Sequence, residues 1–226
     1  MDDRSPEAVF LDLDGTICEY RRSCAELLAA AFDELDVDPF FTPAEYRERF
    51  RLQVVTDETR AERREAAFVD LAEAEGRDPA LGRRLATVYA SMRDHGDVDP
   101  LDGALAAVES LGEAYDLALV ANGGPETTDP KLATLGLRDA FDVIVYAGYD
   151  TAPKPEPGAF HEALYALDAA PRRAVHVGDS VFEDVRGADG AGIQAALLTD
   201  GSEPTSTPDY RLESMADLEA PPWEEG

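Results

Sequence analysis

A short apolar run, Ala8–Leu11, stops abruptly at Asp12, Asp14 and Gly15. It predicts a buried strand that ends in a turn. From about Ser23 to Gly96 the apolar positions recur at helical spacing. Ser23 with Glu26 reads as a capping box, and Leu27, Leu28, Ala31, Phe32 and Leu35 give the first helix one apolar face. Three more helices are predicted near 43–55, 58–75 and 79–94, with Gly76 and Pro79 between the last two. This block shows no alternating pattern.

Beyond Gly96 the texture changes. Short apolar runs at 117–120, 143–146, 174–177 and 195–198 are separated by helical stretches at 101–111, 129–135, 157–167 and 181–189. Strands alternating with helices of about ten residues predict βαβ units and a parallel sheet. Tyr210–Leu212 reads as an added edge strand, and the acidic, proline-rich tail from Glu219 as frayed. The fold class is therefore α/β, a doubly wound parallel sheet formed by residues 1–16 and 98–226, with an all-helical insert at 17–97. An insert just past a strand's carboxyl end sits where such sheets bind ligands, and suggests a lid.

Charge narrows the function. The chain has 226 residues, 20 Lys plus Arg against 48 Asp plus Glu, and a formal net charge of −28. A nucleic acid or an anionic membrane surface would be repelled over most of such a surface. The longest apolar runs are too short to span a bilayer. Lys131 and Lys154 are the only lysines; all other basic residues are arginines. Surplus carboxylate with almost no lysine suggests adaptation to molar salt. Cys18 and Cys24 form no Cys-x-x-Cys pair and read as small buried side chains. The acidic start of the chain has no basic leader, which points to the cytoplasm. Nothing in the pattern sets an oligomeric state.

Chemistry gathers where the predicted strands end. Asp12 and Asp14 follow the first, Asn122 the second, Lys154 lies in the loop after the third, and Asp179 with Asp184 follow the fourth. Parallel strands end on one edge, so these groups can converge. Carboxylates crowded into one crevice repel one another unless a hard cation such as Mg²⁺ sits among them. An acidic metal site with a lysine is suited to holding a phosphate group and stabilising charge on it.

The same residues resemble the haloacid dehalogenase-like hydrolases. Asp12-Leu13-Asp14-Gly15-Thr16 resembles their first motif, Lys154-Pro155-Glu156-Pro157 their third, and Gly178-Asp179-Ser180-x-x-x-Asp184 their fourth. The insert resembles the C1-type helical cap. The resemblance implies a phosphatase for a small phosphorylated metabolite, with Asp12 as nucleophile, Asp14 as general acid and base, and Lys154 neutralising charge. It implies Mg²⁺ held by Asp12, the Asp14 carbonyl and Asp179, with Asp184 beside them. Asp14 argues for phosphate chemistry, because dehalogenating members lack that second aspartate. The absence of lysine from the insert argues against the phosphonate-cleaving members, which use a cap lysine.

One position departs from the family. The second motif ends in Ser or Thr, whose hydroxyl binds phosphate; here it is Ala121, followed by Asn122 and Gly123. The Asn122 side chain and the amides of Asn122 and Gly123 are the expected replacements, with compensation by Asn122 favoured. Tyr20 and Arg21, just past the first motif, are candidates for substrate contact. Other readings are a phosphomutase of the same family, a catalytically silent phosphate-binding protein of this fold, and a signalling receiver domain. The last is shorter and carries no insert.

Overall fold

The computed structural model describes residues 5–53, 60–199 and 206–224. In chain order the elements are β1 (Ala8–Leu11), β2 (Cys18–Tyr20), α1 (Cys24–Glu34), α2 (Pro43–Leu52), α3 (Arg60–Ala74), α4 (Pro79–Ser91), β3 (Val98–Pro100), α5 (Ala104–Ala114), β4 (Asp116–Asn122), α6 (Pro125–Leu135), β5 (Val143–Ala147), α7 (Gly158–Ala166), β6 (Ala174–Gly178), α8 (Arg186–Ala191), β7 (Gln194–Leu198) and β8 (Tyr210–Leu212). The expected ends of the second and third helices, toward 54–59, lie outside the described residues.

The chain divides into two compact units, residues 1–19 with 98–226, and residues 20–97. The first holds a six-stranded sheet of order β5-β4-β1-β6-β7-β8. Every neighbouring pair in it runs parallel. β1 lies inside the sheet, so all of its residues are buried and none alternates with a polar one. Ala8 and Phe10 point into a cluster with Ala159, Phe160 and Ala163 of α7 and Ala188 of α8. By the two-residue period of a strand, Val9 and Leu11 face the opposite side. Each large apolar side chain buried this way contributes about 1.5–3 kcal/mol relative to exposure.

The second unit is helical, as its periodicity predicts. Its core joins Leu27, Leu28 and Phe32 of α1 to Tyr46 of α2, Phe68 of α3 and Tyr89 of α4. The Tyr46 and Phe68 rings stack at 4.7 Å. The capping box at the start of α1 forms, with the Glu26 amide donating to Ser23 Oγ at 3.2 Å and the Ser23 amide to Glu26 Oε2 at 2.8 Å.

Three features depart from the sequence reading. β2 and β3 pair as a small two-stranded sheet, too short to leave an alternating signature. The predicted helix at 181–189 opens as a π-helical turn, Val181–Val185, before α8 begins. Its amides reach five residues back, the Val185 N–H donating to the Ser180 carbonyl at 3.2 Å. The tail is docked rather than frayed. Trp223 is buried, its Nε1–H donates to the Tyr115 hydroxyl at 3.1 Å, and that hydroxyl donates to Glu224 at 2.5 Å.

Candidate active site

The sheet order sets the site. β1 runs between β4 and β6, in register at Leu11 with Leu119 and Val177. Asp12 and Asp179, which follow β1 and β6, and Asn122, the last residue of β4, therefore lie at one edge of the sheet. The Asp12 amide still donates to the Val177 carbonyl at 2.9 Å, so the carboxylate sits at the last rung of the ladder.

Lys154 is the centre of the cluster. Its Nζ donates to Asp12 Oδ1 at 2.8 Å and to Asp184 Oδ1 at 2.6 Å, and the residue is 3% exposed. Burial alone would depress this ammonium; Asp12 and Asp184 outweigh it and hold its pKa above the ordinary lysine value. Asp184 is held in turn on both oxygens. His176 Nε2 lies 2.9 Å from Oδ1, and the Ser180 amide donates to Oδ2 at 2.9 Å. Burial opposes its charge, but Lys154 and His176 outweigh burial and keep the carboxyl far below the usual range. Burial lowers the His176 pKa, and because a carboxylate only accepts, the contact is made by an Nε2–H that donates to Asp184.

Burial pushes the Asp12 carboxyl up to about 8, against the pull of Lys154 and with help from the charges of Asp184 and Asp14. Asp179 is pushed up to about 6 by desolvation and then by Asp184. Oxygen atoms of Asp12, Asp179 and Asp184 lie within 4.8 Å of one another, and among the described residues they form the one such acidic group. Asp12 and Asp179 are hard oxygen donors whose charge is disfavoured by burial, and such donors fit a hard divalent cation. A cleft of about 530 Å³ adjoins Gly15 and Asp179. Two glycines allow the crowding. At Gly15, with φ +87°, a Cβ would lie 2.6 Å from Asp179 Oδ2; at Gly178 it would lie 2.2 Å from the Asp184 carboxyl carbon.

The residues after β4 are placed differently from expectation. The Asn122 side chain is turned to the main chain of Lys154: the Lys154 amide donates to Oδ1 at 2.8 Å, and Nδ2 donates to the Lys154 carbonyl at 3.2 Å. Nδ2 also donates to Glu183 Oε2 at 3.0 Å. The Gly123 amide donates to the Ala147 carbonyl at 2.9 Å and extends the β4–β5 ladder. The Asn122 side chain and the Gly123 amide, two of the expected phosphate donors, are thus engaged within the protein. Ala121 is 3% exposed, opposite Tyr146 of β5.

Tyr20 and Arg21 begin the helical unit and bind its far end. The Tyr20 hydroxyl lies 2.7 Å from His95 Nδ1, and the Arg93 guanidinium sits 4.4 Å above the Tyr20 ring. Arg21 Nη1 contacts Asp97 at 3.4 Å.

Sequence reasoning missed Lys131. From α6, its Nζ reaches both Asp14 oxygens, at 2.6 and 2.5 Å. The available signal was its rarity as one of two lysines in the chain.

The sequence model of the haloacid dehalogenase-like hydrolases matches residues 6–192. The chain belongs to this family. It is 33% identical over 158 residues to the phosphoserine phosphatase of Thermus thermophilus, a match covering 69% of this chain and 63% of that protein. It is 32% identical over 147 residues to the pyrophosphatase PpaX of Halalkalibacterium halodurans, covering 60% and 68%. The Bacillus subtilis HAD-hydrolase YfnB, solved bound to magnesium, has the same fold, with a TM-score of 0.77 at 22% identity over 95% of this chain and 97% of that one. CbbY of Rhodobacter sphaeroides, solved with phosphate, gives 0.69 at 25% identity over 94% and 96%. The family contains both phosphatases and dehalogenases, and no helix among the described residues is long and apolar enough to cross a membrane.

Proposed function

We propose that this family member is a Mg²⁺-dependent phosphomonoester hydrolase that cleaves a small phosphorylated metabolite through an aspartyl-phosphate. The observation that carries the reading is the Lys154 ammonium shared between Asp12 and Asp184, with Asp179 alongside. Relatives named as phosphatases support it.

Asp12 attacks phosphorus, and the bond from phosphorus to the leaving oxygen breaks. Asp14 gives that oxygen its proton, then takes one from the water that attacks the aspartyl-phosphate, so the carboxylate of Asp12 returns. Lys154 neutralises charge shared by Asp12 and the phosphoryl group. Asp184, fully engaged by Lys154, His176 and Ser180, orients the lysine. Asp12, Asp179 and the Asp14 carbonyl would hold Mg²⁺, which when bound supplies positive charge to the phosphoryl oxygens. The helical unit is the candidate cap, and Tyr20 and Arg21 remain candidates for substrate contact. The chain works in the cytoplasm.

The test is phosphate release over a panel of some tens of metabolites with Mg²⁺ and molar KCl. Release without a bisphosphate activator separates a phosphatase from a phosphomutase. Asp12→Asn, folded as judged by circular dichroism, should lose turnover at least about 10³-fold. Turnover within tenfold of wild type would overturn the covalent route.

A further inference from the structure

We infer that Lys131 is the positioning residue of Asp14, a role that rests on the acid–base reading of Asp14 above. Thr128, Lys131 and Leu132 form the buried stripe of α6. The lysine lies in that packed face, and its ammonium meets Asp14. The side chain of Lys131 is 3% exposed, whereas that of Asp14 is 38% exposed. Asp14 therefore does not need this partner for solvation; water reaches it. The ammonium does need Asp14, because a buried charge is tolerated only when paired and hydrogen-bonded. An arrangement that burdens the core to grip an accessible carboxylate has its effect on the carboxylate.

The geometry says what that effect is. One nitrogen contacts both Asp14 oxygens, at 2.6 and 2.5 Å, which fixes the rotation of the carboxylate as well as its position. A carboxylate two residues past the nucleophile must meet the leaving oxygen and later a water, and free rotation would spread it over unproductive poses. Misplacement by about 1 Å is enough to lose rate by 10²-fold. The residue type fits the task. An ammonium is a compact point charge on a slender apolar stem, which can pass through a packed helix face where a broad planar guanidinium would need more room. The chain has 20 Lys plus Arg, of which only Lys131 and Lys154 are lysines. Each of the two contacts one aspartate of the Asp12-x-Asp14 pair.

The experiment is a double-mutant cycle of Lys131→Met and Asp14→Asn, read on p-nitrophenyl phosphate. Its good leaving group leaves residual turnover to measure in the Asp14 variant. Lys131→Met should lower kcat by about 10- to 10²-fold with KM within about threefold, the pattern of a lost transition-state contact. In the Asp14→Asn background the same change should lower kcat by less than about twofold, because the two residues act as one unit. Folding is checked by thermal melt, and Lys131→Gln carries the cycle if the methionine variant does not fold. A folded Lys131 variant with wild-type kcat overturns the inference, as does an equal loss in both backgrounds. Wild-type kcat in Asp14→Asn alone overturns the acid–base reading, and the inference falls with it.

Discussion

The Asn122 side chain holds the Lys154 peptide from both sides, accepting from its amide at 2.8 Å and donating to its carbonyl at 3.2 Å. These bonds join the end of β4 to a loop 32 residues further along the chain. They fix the backbone from which the Lys154 ammonium reaches Asp12 and Asp184. Asn122→Ala should therefore lower kcat by about 10-fold or more while leaving KM for phosphate esters nearly unchanged, as expected for a group that positions a catalytic neighbour. A rise in KM at constant kcat would instead mean that Asn122 binds substrate directly.

The proposed metal dependence rests on the acidic cluster. Exhaustive treatment with EDTA should abolish activity and Mg²⁺ should restore it. Asp179→Asn should weaken Mg²⁺ binding more than Asp184→Asn, because both Asp184 oxygens already accept bonds from the protein. Calorimetric titration of the two variants checks the order. Full activity after chelation would remove the metal from the mechanism.

The motifs were legible because charged residues interrupt apolar runs, and the sheet brings those interruptions to one edge. That Asp12, Lys154, Asp179 and Asp184 can converge is legible because parallel strands end on one edge. The bonds of Asn122 to the Lys154 main chain are not legible in the sequence, because the partner is a main-chain unit in a distant loop and no local pattern marks such a link. Lys131 was passed over, since a single lysine on an amphipathic helix reads as surface unless its face is known. The docked tail depends on Trp223 meeting Tyr115, 108 residues away, where composition alone suggests fraying.

The net charge of −28 gives a prediction about salt. Self-repulsion opposes the compact state, and at about 1 M salt the Debye length falls to roughly 3 Å, which screens most of it. Melting temperature and activity should both rise between low salt and about 1–2 M KCl. A thermal melt that is flat or falls over that range would show that the acidic, lysine-poor surface is not an adaptation to salt.

Ala121 stands where the resemblance to the family implies a phosphate-binding hydroxyl. Compensation by Asn122 was the favoured expectation, but its side chain is committed to Lys154 and Glu183, and the Gly123 amide is committed to Ala147. Two of the three expected replacements are therefore committed within the protein, which favours a loss that they do not compensate. One well-placed donor to developing charge is worth about 10²–10³ in rate. Ala121→Ser, which adds a single oxygen, should raise kcat/KM by about 10-fold or more. Ala121→Thr adds more bulk at a position only 3% exposed, and overpacking there costs about 1–3 kcal/mol of stability, so its gain in kcat/KM should come with a lower melting temperature. Steady-state kinetics of the two variants beside their thermal melts separate these effects. If neither hydroxyl changes kcat/KM by more than about twofold while the proteins stay folded, residue 121 does not touch the phosphate.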